Sequence, residues 1–425
     1  MAIHDIHANC VAKTSHVSYQ NNEGDVETKD SKTSHACPRS NLFREAQFGP
    51  DGTTVVTHSE DQHLRTFVLP PDLLDEKASP CILNEYASYA PPSNIQSYAI
   101  YPHFNLQDPS TTLVLHSSTD QPLALRNVLD YTTVPAKYNL ISSTTERYLT
   151  INSLVFTNDG THFLAGGHNS LSIFDCSRNY SGPISTHKLV PGKKARKIYG
   201  AQSLGCKGIV TALDINTDGL LAAGTTEREI GLNADQGGGE CVAAFSVAAP
   251  PSEKHVVTGT GIMQLRWSPD GRYLLAAERQ SDGIQVYDVR NMVHRVAWLQ
   301  GRKAETNQKL GVDVVPTAEG WEVWGGGTDG CVRMWRDPGQ REGSVQPDVA
   351  IGVHSDPVSS AVWHPAGAVM ATCSGRRVPI ETHGEEDGET QARPVDLTAT
   401  APTQTVDGAP DASPPDNRLA IWTVG

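Results

Sequence analysis

Three clusters of Lys and Arg carry the strongest chemical signal in the chain. The first runs from Arg178 to Lys207 and includes Lys188, Lys193, Lys194, Arg196 and Lys197, with no Asp or Glu between its ends. Cations at this density displace counterions from a polynucleotide backbone, so Lys193-Lys194-Ala195-Arg196-Lys197 suits contact with RNA phosphates. The same run also suits a nuclear-import signal or a plain solvated loop, because a short basic run specifies little alone. The second cluster is Arg302-Lys303, followed by the polar run Thr306-Asn307-Gln308-Lys309. The third is Arg376-Arg377. Three basic loops in one chain favour an anionic partner.

Catalytic and cofactor chemistry finds little support. Gly325-Gly326-Gly327-Thr328-Asp329-Gly330 matches the dinucleotide fingerprint, which needs a helix directly after it to hold pyrophosphate. Cys331-Val332-Arg333-Met334-Trp335 follows instead, a strand pattern, so the glycines read as a turn. His255, His354 and His364 sit near strand starts, and Asp61, Asp120, Asp282 and Asp329 sit in tight turns. Hydrogen bonding within the fold is the expected role of both sets, since no metal spacing, paired carboxylates or nucleophile motif accompanies them. The expectation is a protein that is not an enzyme and uses no cofactor, metal or small-molecule substrate. The eight cysteines form no CxxC pair and are scattered, which fits a reducing compartment. The N-terminus has no apolar signal segment, and no apolar run is long enough to span a membrane. The net charge is −14, yet nine acids and one base between Glu381 and Asp416 account for most of it, so it does not exclude RNA.

The elements that must position these loops come from a repeat. A short apolar strand leads to a Pro-Asp-Gly-like turn, then a strand of small residues, then a turn with Asp or Gly, then a strand ending in an aromatic residue. The clearest copy runs Ile262–Trp267, Ser268-Pro269-Asp270-Gly271, Tyr273–Ala277, Ser281-Asp282-Gly283 and Ile284–Asp288. Pro pre-sets the turn and Asp-Gly reverses it, while alternation such as Ile284 and Val286 about Gln285 marks a strand. Further copies have their turns near positions 51, 102, 159, 218, 319 and 365. Seven copies at this spacing predict an all-β, seven-bladed WD-repeat propeller over residues 41–425. The last blade is interrupted by an acidic, Pro- and Thr-rich stretch, residues 381–417, whose composition predicts disorder. Leu419-Ala420-Ile421-Trp422 then reads as the missing strand. Residues 1–40 read as mostly disordered, except for one ring-closing strand with Ser34–Cys37 or Val17–Tyr19 as candidates.

Several of these stretches resemble the telomerase Cajal body protein family, WD-repeat proteins that bind small Cajal-body RNAs. Asn41-Leu42-Phe43, Phe48–Gly52, Ser59-Glu60-Asp61 through Leu64-Arg65 and Leu69–Leu73 are similar to that family's first blade. Gly301-Arg302 through Thr306-Asn307-Gln308-Lys309 resembles a family loop, and Ala371–Arg377, the acidic insert and Trp422 resemble its interrupted last blade. The short N-terminus is similar to fungal relatives. The resemblance implies a nuclear scaffold that binds small nuclear or Cajal-body RNA, including telomerase RNA. It would target the ribonucleoproteins (RNPs) to nuclear bodies and contact RNP proteins. Stacking and base-edge hydrogen bonds generally read RNA loops, which nominates Tyr199, Arg302, Asn307 and Gln308 beside the basic loops. The alternative is a WD-repeat scaffold with protein partners only, for example in pre-mRNA splicing or snRNP assembly.

Overall fold

A computed structural model describes residues 6–15, 42–190, 205–250, 257–291, 294–376 and 416–425. Seven sheets follow one another around a central channel as the blades of a β-propeller. From channel to rim, blade one holds Phe43–Phe48, Thr54–Ser59, Leu64–Val68 and Ala87–Tyr89. Blade two holds Ile95–Ile100, Leu113–Ser118, Leu123–Asn127 and Ala136–Tyr138, and blade three Ser153–Phe156, His162–Gly167, Ser170–Asp175 and Ser185–Lys188. Blade four holds Val210–Ile215, Leu221–Thr225, Glu229–Asn233 and Cys241–Ser246. Ile262–Trp267, Tyr273–Glu278, Ile284–Asp288 and His294–Leu299 form blade five, and Val312–Pro316, Trp321–Gly326, Cys331–Arg336 and Val349–Gly352 form blade six. Blade seven takes Val358–Trp363, Met370–Ser374 and Leu419–Val424 from the C-terminal half, and its outer strand, Ala8–Thr14, from the N-terminus.

The turn chemistry read from the residues is present. Gly52 has φ 73°, and a side chain there would strike His364, whose Nε2 sits 3.1 Å from the Gly52 carbonyl across the ring closure. Gly325–Gly330 is a strand end and turn between Trp321–Gly326 and Cys331–Arg336. Apolar residues interleave between neighbouring blades, as where Phe43, Phe67 and Val55 of blade one meet Leu419 and Ile421 of blade seven. Side-chain hydrogen bonds also stitch each blade to the next near the channel. Ser117 Oγ donates to Ile151 O at 2.9 Å, Ser153 Oγ to Val210 O at 3.0 Å, and Gln264 Nε2 to Val312 O at 2.8 Å. Thr211 Oγ1 reaches Ile262 O, and Ser359 Oγ reaches Phe43 O across the ring closure. Asp214 and Asp313 accept the N–H groups of Trp267 and Trp363, each at 2.8 Å. Burial raises both carboxyls above their usual range against the opposing charge of Arg266.

Ring closure corrects one expectation. The closing strand is Ala8–Thr14, which pairs antiparallel with Leu419–Val424. Neither Ser34–Cys37 nor Val17–Tyr19 fills that place, and both lie outside the described residues. Trp422 pairs with Met370 inside the last sheet, and its indole N–H donates to Thr372 Oγ1 at 2.8 Å. His354 Nε2 lies 2.7 Å from the same hydroxyl, and His354 Nδ1 lies 3.1 Å from Asp416 Oδ2. This four-residue chain pins both ends of the interrupted hairpin.

Among the described residues, two blades carry a fifth strand. Cys81–Leu83 lies parallel to Ala8–Thr14 on blade seven, and Gly343–Val345 lies parallel to His294–Leu299 on blade five. Each comes from the connection between the third and fourth strands of the following blade. No helix among the described residues is long and apolar enough to cross a membrane.

Candidate nucleic-acid interface

The antiparallel order of each blade decides which connections share a face. The second-to-third-strand turns and the links between blades all open at one end of the ring, because successive strands reverse direction. That face therefore receives Arg302–Lys309, between blades five and six, and Gly375-Arg376, within blade seven. Val190 and Gly205, which flank residues 191–204, also lie there. Lys193, Lys194, Arg196, Lys197 and Tyr199, together with Arg377, lie outside the described residues.

A cavity of about 250 Å³ opens at the channel mouth on this face, lined from six of the seven blades or their links. The innermost strands build it through bulges. Their pairing skips one residue in five blades, at Arg44, Gln96, Thr211, Met263 and Ser359. A bulge re-aims the extra side chain out of the sheet. The first four of these line the mouth, whereas Ser359 turns to the Phe43 carbonyl. The repeat pattern carries no signal for a bulge, so these residues escaped sequence reasoning.

Asn307, Gln308 and Lys309, nominated from sequence, also line the mouth. Lys309 Nζ lies 2.8 Å from Glu45 Oε2, and Gln308 Nε2 donates to Gly375 O at 2.9 Å, while Asn307 is exposed. Burial alone would raise Glu45, but the charge and hydrogen bond of Lys309 and the hydrogen bond of Gln47 outweigh it and hold the carboxyl below its usual range. Arg44 pairs with Glu60. Arg279 is exposed at the rim and its guanidinium has no ion pair among the described residues. His58 is buried and lines the same cavity, and its Nε2 has no hydrogen-bond partner among the described residues. Burial, with the Arg44 charge behind it, pulls His58 down to about 4, so it is neutral at pH 7. The mouth thus offers Arg279 at its rim, the ion-paired Lys309 and Glu45 within, and neutral donors and acceptors from His58, Gln96, Asn152 and Asn307, groups suited to a phosphate and a base edge.

Arg302 is a correction. It is fully buried and its guanidinium holds backbone, with Nε donating to Gly326 O at 3.1 Å and Nη2 to Gly311 O at 3.0 Å and to Leu310 O. Burial lowers it to about 9, which leaves it charged at neutral pH. It positions the loop that carries Asn307–Lys309 and is closed to any external ligand. Arg376 is exposed, 3.8 Å from Asp356.

Three of the four turn acids read as structural are so placed, while Asp120 is exposed at its turn with φ 55°. Asp61 binds Arg65, Asp329 binds Arg333 with Oδ2 at 2.6 Å, and Asp282 accepts the N–H groups of Gly301 at 2.7 Å and Lys303 at 2.8 Å. Among the described residues, no group of three or more His, Cys, Asp or Glu could hold a metal ion.

Comparison with known proteins agrees with this architecture. The WD domain, G-beta repeat family matches residues 251–288 and 348–379. Guanine nucleotide-binding protein negative regulator 1 of Schizosaccharomyces pombe is 31% identical over 365 residues, covering 84% of this chain and 85% of its own length. Human telomerase Cajal body protein 1 is 26% identical over 395 residues, 89% of this chain. The chain spans 66% of the human protein's length. Protein SWT21 of Saccharomyces cerevisiae is 22% identical over 58% of this chain. The chain belongs to the WD-repeat family of the telomerase Cajal body proteins.

Proposed function

We propose that this propeller is a non-enzymatic scaffold that binds a single-stranded loop of a small nuclear RNA of the Cajal-body class. The reading places it on RNPs bound for nuclear bodies, with telomerase RNA among its clients. The observation that carries it is the channel mouth, where Arg279, exposed and without an ion pair among the described residues, stands with neutral His58, Asn307, Gln96 and Asn152. A phosphate would sit on Arg279, with Lys309 near, while base edges meet the amides and imidazole. Lys193, Lys194, Arg196, Lys197 and Tyr199 would extend the contact from residues 191–204, and Arg376 and Arg377 from the last blade. The names of the animal relatives support this reading.

Crosslinking followed by RNA sequencing tests it. Specific small-RNA peaks are expected, and recovery of background alone would refute it. Arg279→Glu should weaken binding of a recovered RNA and reduce the slope of log affinity against log salt by ~0.7 for each phosphate the protein no longer neutralises. Charge reversal at Lys193, Lys194, Arg196 and Lys197 should flatten it further. Unchanged affinity in that variant would leave the basic run to nuclear import, which a reporter fusion reads. A protein-only scaffold is the second reading. It is favoured by the fission-yeast relative, whose name ties it to a guanine nucleotide-binding protein.

A further inference from the structure

We infer that the outer edge of blade four is a docking site for an extended, uncharged segment of a partner protein, which adds to the blade as a parallel fifth strand. The inference is independent of the RNA reading. It begins from strand lengths. The outer strands of blades one, two, three and six are three or four residues long. Short edges are one way a sheet avoids unwanted pairing. The outer strands of blades five and seven have six and seven residues, and both are covered by a fifth strand. Blade four has a six-residue outer strand, Cys241-Val242-Ala243-Ala244-Phe245-Ser246, without a charge, and it is the edge of its sheet among the described residues.

The three long strands are alike in detail. Each skips one residue in its pairing, at Val11, Val296 and Val242, and in each an Ala follows. Aligned on that bulge, Ala12-Lys13-Thr14 and Ala297-Trp298-Leu299 correspond to Ala243-Ala244-Phe245. The first triplet pairs with Cys81-Ile82-Leu83 and the second with Gly343-Ser344-Val345, so both guests use one register. In both guests the third residue is buried between two blades. Leu83 packs among Phe43, Phe67 and Ile421, and Val345 among Leu299, Val323 and Trp335. The matching position beside Phe245 faces the cleft between blades four and five. A cavity of about 710 Å³ lies there, lined by Ser246, Val247, Tyr287, Arg295, Ala297 and Trp298 with others.

The backbone is set for the same contact. Val247 N–H donates to Arg228 O at 2.9 Å, which fixes the alternation and turns the N–H groups of Ala244 and Ser246 outward. On blade five the residue equivalent to Ser246 is Gln300, whose N–H donates to the guest carbonyl of Val345 at 3.0 Å. The following blade supplies both existing guests, from residues 69–86 and 337–348. Blade five offers only residues 289–293 between its third and fourth strands, too few to reach back and lay down a strand. The following blade thus leaves this edge without the guest it gives blades five and seven, and the two guests define the chemistry of the partner segment: three uncharged residues, the third aliphatic.

Panning a random heptapeptide library on phage against the full chain tests this. Recovered peptides should share an uncharged triplet ending in Leu, Val or Ile, and should slow hydrogen exchange at Ala244 and Ser246. Ala244→Pro deletes one outward donor and leaves the inward bonds of Phe245 and Val247, whereas Ser246→Pro also removes the hydroxyl that donates to Arg228 O and accepts the Ala248 N–H. Each variant should bind about tenfold more weakly, as expected for one missing hydrogen bond, with an unchanged melting temperature for Ala244→Pro. Recovery of no peptide, or of peptides indifferent to both variants that do fold, would overturn the inference. Edge amides already slow in the dilute, unliganded protein would assign the edge to a segment of this chain. Protection that grows with protein concentration would assign it to a second copy.

Discussion

At the scale of single residues, burial decides what a polar side chain does. Arg302 and Asn307 stand five positions apart in one polar loop, yet one grips carbonyls beneath the surface and the other faces solvent at the mouth. Residue type nominated both, but only the packing separates a positioning arginine from a contacting amide. The structural role of Asp61 and Asp329 is legible because Asp61 and Arg65, like Asp329 and Arg333, are four apart across a tight turn, whereas Asp120 has Ala124 at that position and Asp282 bonds the Gly301–Lys303 loop instead. His58 and His116 show what burial costs. It lowers His58 to about 4 and His116 to about 3, against 6.5 when unfolded, with the charges of Arg44 and Arg126 as second causes. The unfolded chain binds protons first as pH falls, so the contribution of each His is complete above pH 6.5 and is lost from there down to its folded value. At pH 5 each loses about 2 kcal/mol. Denaturant titrations should show His116→Gln, which keeps an acceptor for Arg126, losing less stability than the parent between pH 7 and 5. Parallel profiles would contradict the buried neutral imidazole.

At the scale of elements, the long inner hairpins were readable and the short additions were not. Turns bearing Pro, Asp or Gly mark the first two strands of each blade, and alternation marks the third in most, because a half-buried strand and a tight turn each demand particular residue types. Cys81–Leu83 and Gly343–Val345 are too short for any periodicity, and Ala8–Thr14 interleaves Asn9 and Lys13 with its apolar residues. A signal for the last was present all the same: Val11-Ala12 repeats the Val-Ala step of Val242-Ala243 and Val296-Ala297. The interrupted hairpin shows how a blade tolerates a long insertion. Cys373 pairs with Leu419 across residues 377–415, and the hydroxyl of Thr372 joins Trp422 to His354. Thr372→Ala would strand two buried groups and should cost about 2 kcal/mol, seen as a lower denaturation midpoint with unchanged slope. No change would mean that the four-residue chain does not pin the hairpin.

At the scale of the whole molecule, the ring is closed by residues from opposite ends of the chain. Thr14 Oγ1 accepts the Leu419 N–H at 3.2 Å across 405 positions. Deleting residues 1–15 would bare Leu419 and Ile421 at the rim of blade seven, and should cost about 3–5 kcal/mol and increase binding of an apolar dye. A synthetic peptide of residues 6–15, added back, should restore the melting temperature. If deletion leaves both readouts unmoved, closure does not depend on this strand. Seven blades were legible from residue types because a repeat states the same local rule many times, whereas the closing pair is a single event between distant segments. That pairing also orders events in the cell. Ala8–Thr14 leaves the ribosome long before its partner, Leu419–Val424, so the nascent chain holds blade seven unfinished until that second strand has followed. During that interval Ala8–Thr14 is an unpaired β-edge, and chaperones that shield such edges have most to do before its partner emerges.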